Sequence, residues 1–370
     1  MGETRPERLM IPGPVPVSPA VLSALSSQPR PHYGAEWAEV WHKVLSQLGE
    51  VFGTTGTVLN IPGSGSSGLD AVLNSIVGPG DRVLVNVSGY HGSRLAAYAE
   101  ARGADVGRVI AEWGDPVLPE QFADLAASGP PPRLAIVTHV ETTTGIINPV
   151  REIVKVMRNA GALTMVDAVA SLGGADFRMD DWGIDIACAS SQKCLGGTPG
   201  LAQVAIGPRG LAAIEGRKDT ARSWYLDLAV WLEFNKKWMS WHPYPVTVPS
   251  GTTLALSCAL DELMSDGLAA RIAHYARVGE YLKQRMLKSG FELLAPAPFA
   301  APVVTALKVG ESISSNALIN FLRIKHRIHV GAGFGPLDDR VIRVGHMSRR
   351  ITNADVDALG DGIDDFLRST

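Results

Sequence analysis

The sequence has little cysteine, few aromatic side chains and no long apolar run. Its 370 residues include 3 cysteines, and no two of them have the CxxC spacing of a zinc knuckle or a redox pair. This odd number and spacing argue against a disulfide scaffold, and the histidines form no HExxH motif for a metal. No apolar run reaches the roughly 18 residues that a transmembrane helix needs.

The charge of the chain is nearly balanced, with 34 lysines and arginines against 37 aspartates and glutamates and a net charge of −3. The clustered basic excess that is typical of nucleic-acid-binding proteins is missing. Residues 1–7 lead into no apolar segment of the signal-peptide type. With 46% apolar residues the chain can build a core, so we expect a soluble, cytoplasmic protein that binds neither nucleic acid nor membranes.

Short apolar runs alternate with helical patterns over the first two thirds of the chain. They predict strands at residues 82–87, 133–138, 163–167, 184–188 and 202–206. Leu69, Val72, Leu73 and Ile76 share one helical face just before the first of these strands. Strands that are apolar on both faces and are separated by helices predict a parallel sheet covered on both sides.

The alternation fades after about Ala255, where an α+β pattern of long helices and short strands follows. We therefore predict a large domain over residues 16–265 and a smaller C-terminal α+β domain over residues 266–370. The Pro-rich stretch within residues 1–15 predicts an extended N-terminal arm.

A Gly- and Ser-rich loop, Pro62–Gly68, comes directly before the helix that contains Leu69. Glycines allow the backbone amides to turn toward an anion, and a helix N-terminus adds free N–H groups and a positive dipole end. The loop has no Walker lysine and no dinucleotide fingerprint. It is either a phosphate site or a simple helix cap.

Two further positions are candidates for catalysis. Asp167 ends an apolar strand at the sheet edge where ligands bind in α/β proteins, although such a residue often only caps a loop. Lys193 stands between a strand and a Gly-rich turn, where it is either a surface residue or a buried amine suited to Schiff-base chemistry. The neighbouring Cys194 is either a nucleophile or a small buried residue. An anion loop, a buried acid and a lysine are together what pyridoxal phosphate requires.

Three segments resemble the class V aminotransferases, most closely the alanine/serine–glyoxylate branch. They are residues 138–145 (THVETTTG), 166–174 (VDAVASLGG) and 191–193 (SQK). The resemblance implies a fold-type-I transferase with a mostly parallel seven-stranded sheet flanked by helices and a smaller C-terminal α+β domain. It also implies a transaminase with pyridoxal 5′-phosphate as its cofactor, which moves an amino group from an alanine- or serine-like donor to glyoxylate or pyruvate.

The resemblance assigns a role toward this cofactor to several residues. Lys193 would bond to it covalently and carry a proton, and Asp167 would pair with the pyridine nitrogen. Thr142 would bond the ring hydroxyl or a neighbouring atom. Four residues would hold the phosphate: Ser64, Gly65, Ser66 and Gln192.

The resemblance also implies a homodimer with shared active sites and a binding site for the substrate carboxylate. Tyr244 and Thr247 match a segment that reaches into the phosphate site of the partner subunit. Arg343 would bind the substrate carboxylate as a bidentate fork, which a lysine could not reproduce.

Two positions depart from the pattern of the family. His91 replaces the aromatic residue that stacks on the cofactor ring, and a shift of one residue would place Tyr90 there instead. We expect His91 to be neutral, since a cationic ring would disfavour a protonated pyridine beneath it. Tyr33 stands where the glyoxylate branch often has an Arg-Ser or a His-Arg pair, which indicates altered substrate recognition.

Three alternatives compete with this interpretation. Tyr33 and the segments around Lys193 and Arg343 also resemble pyridoxamine–pyruvate aminotransferase, which acts on the unphosphorylated vitamin, but the intact phosphate loop favours a bound phosphate cofactor. A cysteine desulfurase would need a cysteine on a mobile loop, and none of the three fits. A chain kept only as a binding module would be expected to have lost Lys193, Asp167 or Arg343, and all three are present.

Overall fold

A computed structural model describes residues 7–217, 223–310 and 313–369 of the protein. The first six residues of the predicted arm lie outside the described residues. The α-helices are α1 Pro19–Leu25, α2 Ala35–Phe52, α3 Gly65–Ile76, α4 Tyr90–Ala101, α5 Pro119–Ala127, α6 Val150–Asn159, α7 Met179–Trp182, α8 Pro208–Glu215, α9 Leu228–Lys237, α10 Ser250–Asp266, α11 Leu268–Lys288, α12 Ser315–Phe321 and α13 Asn353–Ser369. Within the described residues, no helix is both long and apolar enough to span a membrane.

The strands are β1 Arg8–Leu9, β2 Thr57–Pro62, β3 Arg82–Val87, β4 Asp105–Ile110, β5 Leu134–Thr138, β6 Val140–Glu141, β7 Ile146–Ile147, β8 Leu163–Asp167, β9 Ile186–Ser190, β10 Leu201–Ile206, β11 Glu292–Leu293, β12 Val304–Lys308, β13 Ile328–His329, β14 Gly331–Ala332 and β15 Val341–Gly345. Short 3₁₀ turns lie at Ala297–Phe299 and Gly335–Leu337, and one π-helical turn follows α12 at Leu322–His326.

Seven strands form the central sheet, in the order β2-β10-β9-β8-β5-β3-β4. β10 runs antiparallel to both of its neighbours, and the other adjacent pairs are parallel. The structure thus confirms the mostly parallel seven-stranded sheet. In β5, Leu134 and Ile136 pack into the apolar cluster on one face, while Ala135 and Val137 pack into the cluster on the other. Both faces are buried under helices, which explains why inner strands such as β5 carry apolar residues on both faces.

A four-stranded antiparallel sheet, β11-β12-β15-β14, lies in the C-terminal part of the chain. It packs with α11 and α13 around a separate apolar cluster that contains Leu282, Leu307, Val344 and Ile363. The predicted boundary near residue 265 falls at the end of α10, just before the glycine that separates α10 from α11. The division into two domains stays a prediction.

The described part of the N-terminal arm is extended and is held on both sides. β1 pairs in parallel with β13, and the Met10 carbonyl accepts a hydrogen bond from the Gly345 amide at 2.8 Å. Farther along, the Val15 amide donates to the Gln192 carbonyl at 3.2 Å. The arm therefore runs between the C-terminal sheet and the turn that carries Lys193.

Candidate active site

A cavity of about 190 Å³ opens where strands β5 and β8 end. The carboxyl ends of parallel strands meet at one edge of a sheet, and the register here places Thr138 and Cys188 beside Asp167. Eight residues that the sequence predicts for the cofactor line the cavity: Ser64, Gly65, Ser66, His91, Thr142, Asp167, Gln192 and Lys193.

One wall of the cavity is the N-terminus of α3. Ser64 is the N-cap of this helix, and its side chain makes no capping hydrogen bond in the described part of the chain. The first amides of a helix have no partner within it, so they are available to an anion. A Cβ atom on Gly65 would lie only 2.8 Å from Cγ2 of Val169, so a glycine is needed for this close packing. The Oε1 atom of Gln192 is also buried there with no hydrogen-bond partner among the described residues.

Asp167 is the last residue of β8 and is only 6% exposed. Its Oδ1 atom accepts a hydrogen bond from the Val169 amide at 2.9 Å. Burial raises the pKa of Asp167 to about 6, and this outweighs the opposite effect of that hydrogen bond and of the cations Arg94 and Lys193. A buried carboxylate of this kind is stabilised by a cationic partner, which a protonated pyridine nitrogen would provide.

Lys193 follows β9 in the turn that leads to β10, and its amine lies in the cavity wall. The Nζ atom donates a hydrogen bond to the Pro12 carbonyl of the N-terminal arm. Gly13 has a φ of +86°, and a Cβ atom there would lie 2.6 Å from Nζ, so only glycine allows the arm to approach this closely. Burial lowers the pKa of Lys193 to about 8, and the cation of Arg343 acts in the same direction.

His91 lies in the first turn of α4 and lines the cavity, whereas the Tyr90 ring packs at 5.1 Å from the Phe334 ring and is not among the lining residues of the described chain. The Nε2 atom of His91 is 3.1 Å from the Thr142 hydroxyl. Burial lowers the pKa of His91, which favours the neutral imidazole at neutral pH. Of the two residues considered for stacking, His91 is the one at the cavity.

Arg343 is a buried residue of β15 next to the cavity. Its Nε atom donates to the Ala332 carbonyl at 2.6 Å, and its Nη1 atom donates to the Thr142 carbonyl at 3.3 Å. The Phe334 ring centroid lies 4.4 Å from the Cζ atom. Burial lowers the pKa of Arg343 to about 10, so the guanidinium remains charged at neutral pH.

Comparison with known proteins agrees with this geometry, since residues 23–359 match the aminotransferase class-V family. The chain belongs to the class-V aminotransferases. It is 32% identical to an uncharacterized aminotransferase of Methanocaldococcus jannaschii, over 92% of this chain and 87% of that protein. It is 30% identical to the alanine–glyoxylate aminotransferase of Oryctolagus cuniculus, over 98% of this chain and 93% of that protein. The crystal structure of an alanine–glyoxylate aminotransferase from Nostoc sp. superposes with a TM-score of 0.94 at 30% identity, covering 100% of this chain and 97% of the other.

Tyr244 is not among the described residues that line the cavity of its own chain in this class-V aminotransferase. The ring is 0% exposed, packs against Trp41 with a centroid distance of 4.5 Å, and its hydroxyl donates to the His32 carbonyl. Within its own chain Tyr244 is therefore a core residue, and its predicted role at the phosphate site of the partner subunit stays a prediction. Thr247 is exposed, and its predicted role stays a prediction.

Tyr33 lies outside the group of residues that line the cavity in the described part of the chain. It is 49% exposed, and its ring contacts those of His32 and Trp241 at centroid distances of 5.3 and 5.6 Å. Its role in substrate recognition stays a prediction. Cys194 is buried in an apolar cluster, and burial raises the pKa of its thiol, which favours a packing role over that of a nucleophile.

Sequence reasoning missed three groups at the site of this aminotransferase. They are the carbonyl of Pro12, the guanidinium of Arg94 and the carboxylate of Glu141. Arg94 follows His91 by three residues, so the helical repeat alone would have placed both on one face of α4. Nothing in the local sequence links Pro12 to Lys193, since 181 residues separate them.

Proposed function

We propose that this aminotransferase uses pyridoxal 5′-phosphate to move an amino group from a small amino acid, such as alanine or serine, to glyoxylate or pyruvate. The observation that carries the proposal is the partly buried amine of Lys193, which shares one cavity with Asp167 and the helix N-terminus at Ser64. Relatives named alanine–glyoxylate aminotransferase support this choice of substrates.

The donor set of the cavity fits this cofactor. Phosphate would bind at the backbone amides of Ser64, Gly65 and Ser66 and at the hydroxyls of the two serines. The helix N-terminus at this point favours negative charge. Asp167 would pair with the pyridine nitrogen, and Thr142 with the ring hydroxyl. When bound, the cofactor supplies an electron-accepting ring for the electron pair released at the α-carbon of the substrate.

Lys193 is the residue suited to carry the proton during transfer. Its pKa of about 8 gives it a much larger fraction of free amine at neutral pH than an ordinary lysine has. A free amine takes a proton from the α-carbon and returns it as general acid, and the best catalyst has a pKa near the working pH. The Pro12 carbonyl holds Nζ in place when the amine is not otherwise bound.

Arg343 is the residue suited to orient the substrate. Two of its five N–H groups are fixed by the carbonyls of Ala332 and Thr142, so the guanidinium is held in one orientation with the remaining donors free for a carboxylate. A fixed fork loses little entropy when it binds a carboxylate in the bidentate manner. The acid end of either substrate would therefore bind here.

We further propose that the active unit is a homodimer. Three large apolar side chains near the segment 243–247 are each about half exposed: Trp238 (43%), Met239 (51%) and Trp241 (50%). Neighbouring exposed apolar side chains are typical of protein interfaces. Exposed Thr247 follows a few residues later in the chain, and the family resemblance assigns it, with Tyr244, to the partner's phosphate site.

The experiment that tests the function is visible absorption spectroscopy of the purified protein loaded with pyridoxal phosphate. We expect a yellow band that bleaches with alanine or serine and returns with glyoxylate or pyruvate. Lys193→Ala should lose this cycle, whereas Lys155→Ala, which changes an exposed lysine on α6, should keep it. A colourless protein that turns over only unphosphorylated pyridoxamine would refute the proposal.

A further inference from the structure

Glu141 is a buried carboxylate beside the site, and the proposed reaction assigns no role to it. It ends the two-residue strand β6, and its side chain is 0% exposed. Its Oε2 atom accepts hydrogen bonds from the His91 amide at 2.9 Å and the Gly92 amide at 3.2 Å. Its Oε1 atom accepts from the amide and the hydroxyl of Thr143, at 2.9 and 2.7 Å. Both oxygens are therefore occupied, which leaves the carboxylate poorly placed to accept a proton from a substrate.

These contacts give α4 an N-terminal cap that comes from a distant part of the chain. The N-cap position of α4 is Gly89, which has no side chain to offer, and the first amides of a helix need acceptors. A Cβ atom on Gly89 would lie 2.5 Å from Cγ and 2.7 Å from Cδ of Glu141. The φ of Gly89 is 168°, which any residue adopts, so glycine stands here to admit the carboxylate.

The Glu141 carboxylate also bonds to both segments that bear neighbouring cavity residues, namely α4 and the loop after β6. His91 is on α4, and Thr142 is on the loop after β6, and their side chains meet at 3.1 Å. Glu141 bonds the backbone on both sides of this contact. We propose that Glu141 is a positioning residue that fixes His91 at the cavity, and thereby the face of the cofactor that His91 covers. The effect of Glu141 on the cofactor face rests on the proposed function, whereas its effect on the position of His91 does not.

The first test uses the apoprotein and is independent of the function. Glu141→Gln keeps the size of the side chain but replaces one oxygen by an NH₂ group, which cannot accept from two N–H donors. We expect the segment 89–93 to exchange its amide hydrogens about tenfold faster or more, because bonds to a charged acceptor are lost. Glu152→Gln, which changes an exposed glutamate on α6, is the matched control and should leave exchange unchanged.

A second variant covers the case in which Glu141→Gln fails to fold. Thr143→Val removes one donor to Oε1 and keeps the carboxylate, so we expect a smaller increase in exchange in the same segment. Unchanged exchange at 89–93 in a folded Glu141→Gln protein would overturn the capping role. Failure of the loaded protein to transaminate would leave this result intact, so the two proposals fail separately.

The second test asks whether Glu141 acts through His91. We expect Glu141→Gln to change the visible circular dichroism of the loaded protein and to lower kcat more than it raises KM for the amino donor. In a His91→Ala background the same change should have little further effect on either measurement, because the positioned ring is already missing. Additive effects in the double variant, or lowered thermal stability with an unchanged dichroism spectrum, would show a merely structural role.

Discussion

Replacing Arg343 by lysine separates the positive charge of this residue from its geometry. A lysine keeps the charge but has no fork, so it cannot donate to the carbonyls of Ala332 and Thr142 and bind a carboxylate with two parallel bonds at once. It also loses the flat face that stacks on Phe334. The substrate carboxylate would then be bound by a mobile point charge.

The size of the effect follows from these contacts. A hydrogen bond to a charged group contributes about 1.5–3 kcal/mol, so loss of one arm of the bidentate pair should raise KM by roughly 10- to 150-fold. The loss of preorganisation acts in the same direction. Because the carboxylate is bound both in the ground state and in the transition state, most of the change should be in KM and less in kcat.

Steady-state kinetics with glyoxylate or pyruvate as the varied substrate would measure this change. Arg340→Lys provides the control, since Arg340 is an exposed arginine just before β15, and it should leave KM unchanged. If the KM of the Arg343→Lys variant stays within twofold of the KM of the unmodified protein, the reasoning is refuted. It would show that another residue binds the carboxylate.

Three other changes test separate parts of the site. Lys193→Ala should abolish transamination and leave the far-ultraviolet circular dichroism spectrum unchanged. Retained turnover would show that Lys193 is not the residue that carries the proton. Because burial raises the pKa of Asp167 to about 6 from 3.8, the folded apoprotein binds more protons than the unfolded chain near pH 5. Its stability should therefore fall by up to about 3 kcal/mol as the pH rises from 4 to 7, and Asp167→Asn should remove most of that slope in denaturant titrations. Tyr244→Phe should cost about 1 kcal/mol of stability through the lost bond to His32, and spectroscopic titration with pyridoxal phosphate would show whether the hydroxyl also serves the phosphate site of the partner.

The inner part of the central sheet could be predicted from the sequence because burial on both faces makes its strands mainly apolar. The predicted strands at 82–87 and 163–167 coincide with β3 and β8. The strand predicted at 184–188 lies at 186–190 instead, because pairing with β8 and β10 sets its position. β4 lacks a clear signal, since it is an edge strand in which only Val109 is buried.

The candidate site could be predicted to the extent that it is built from the ends of successive elements. Asp167 and Lys193 line the same cavity because β8 and β9 are parallel and end at the same edge of the sheet. Tyr244 could not be placed in this way, because its burial against Trp41 depends on packing between distant segments. Glu141 was missed for the same reason: its partners on α4 lie about 50 residues earlier in the chain.

The contacts that complete the site join positions far apart in the chain, which bears on when activity arises during synthesis. Lys193 bonds to the arm 181 residues before it, and Arg343 bonds to the Thr142 carbonyl 201 residues before it. A ribosome-bound chain that ends before residue 343 can pair β3, β5 and β8 and still lack Arg343, the group proposed to bind the carboxylate. Long-range contacts also form late in refolding, because closing large loops costs entropy. Regain of activity should therefore lag behind regain of helix and sheet content, and enzyme assays would report the completed molecule only.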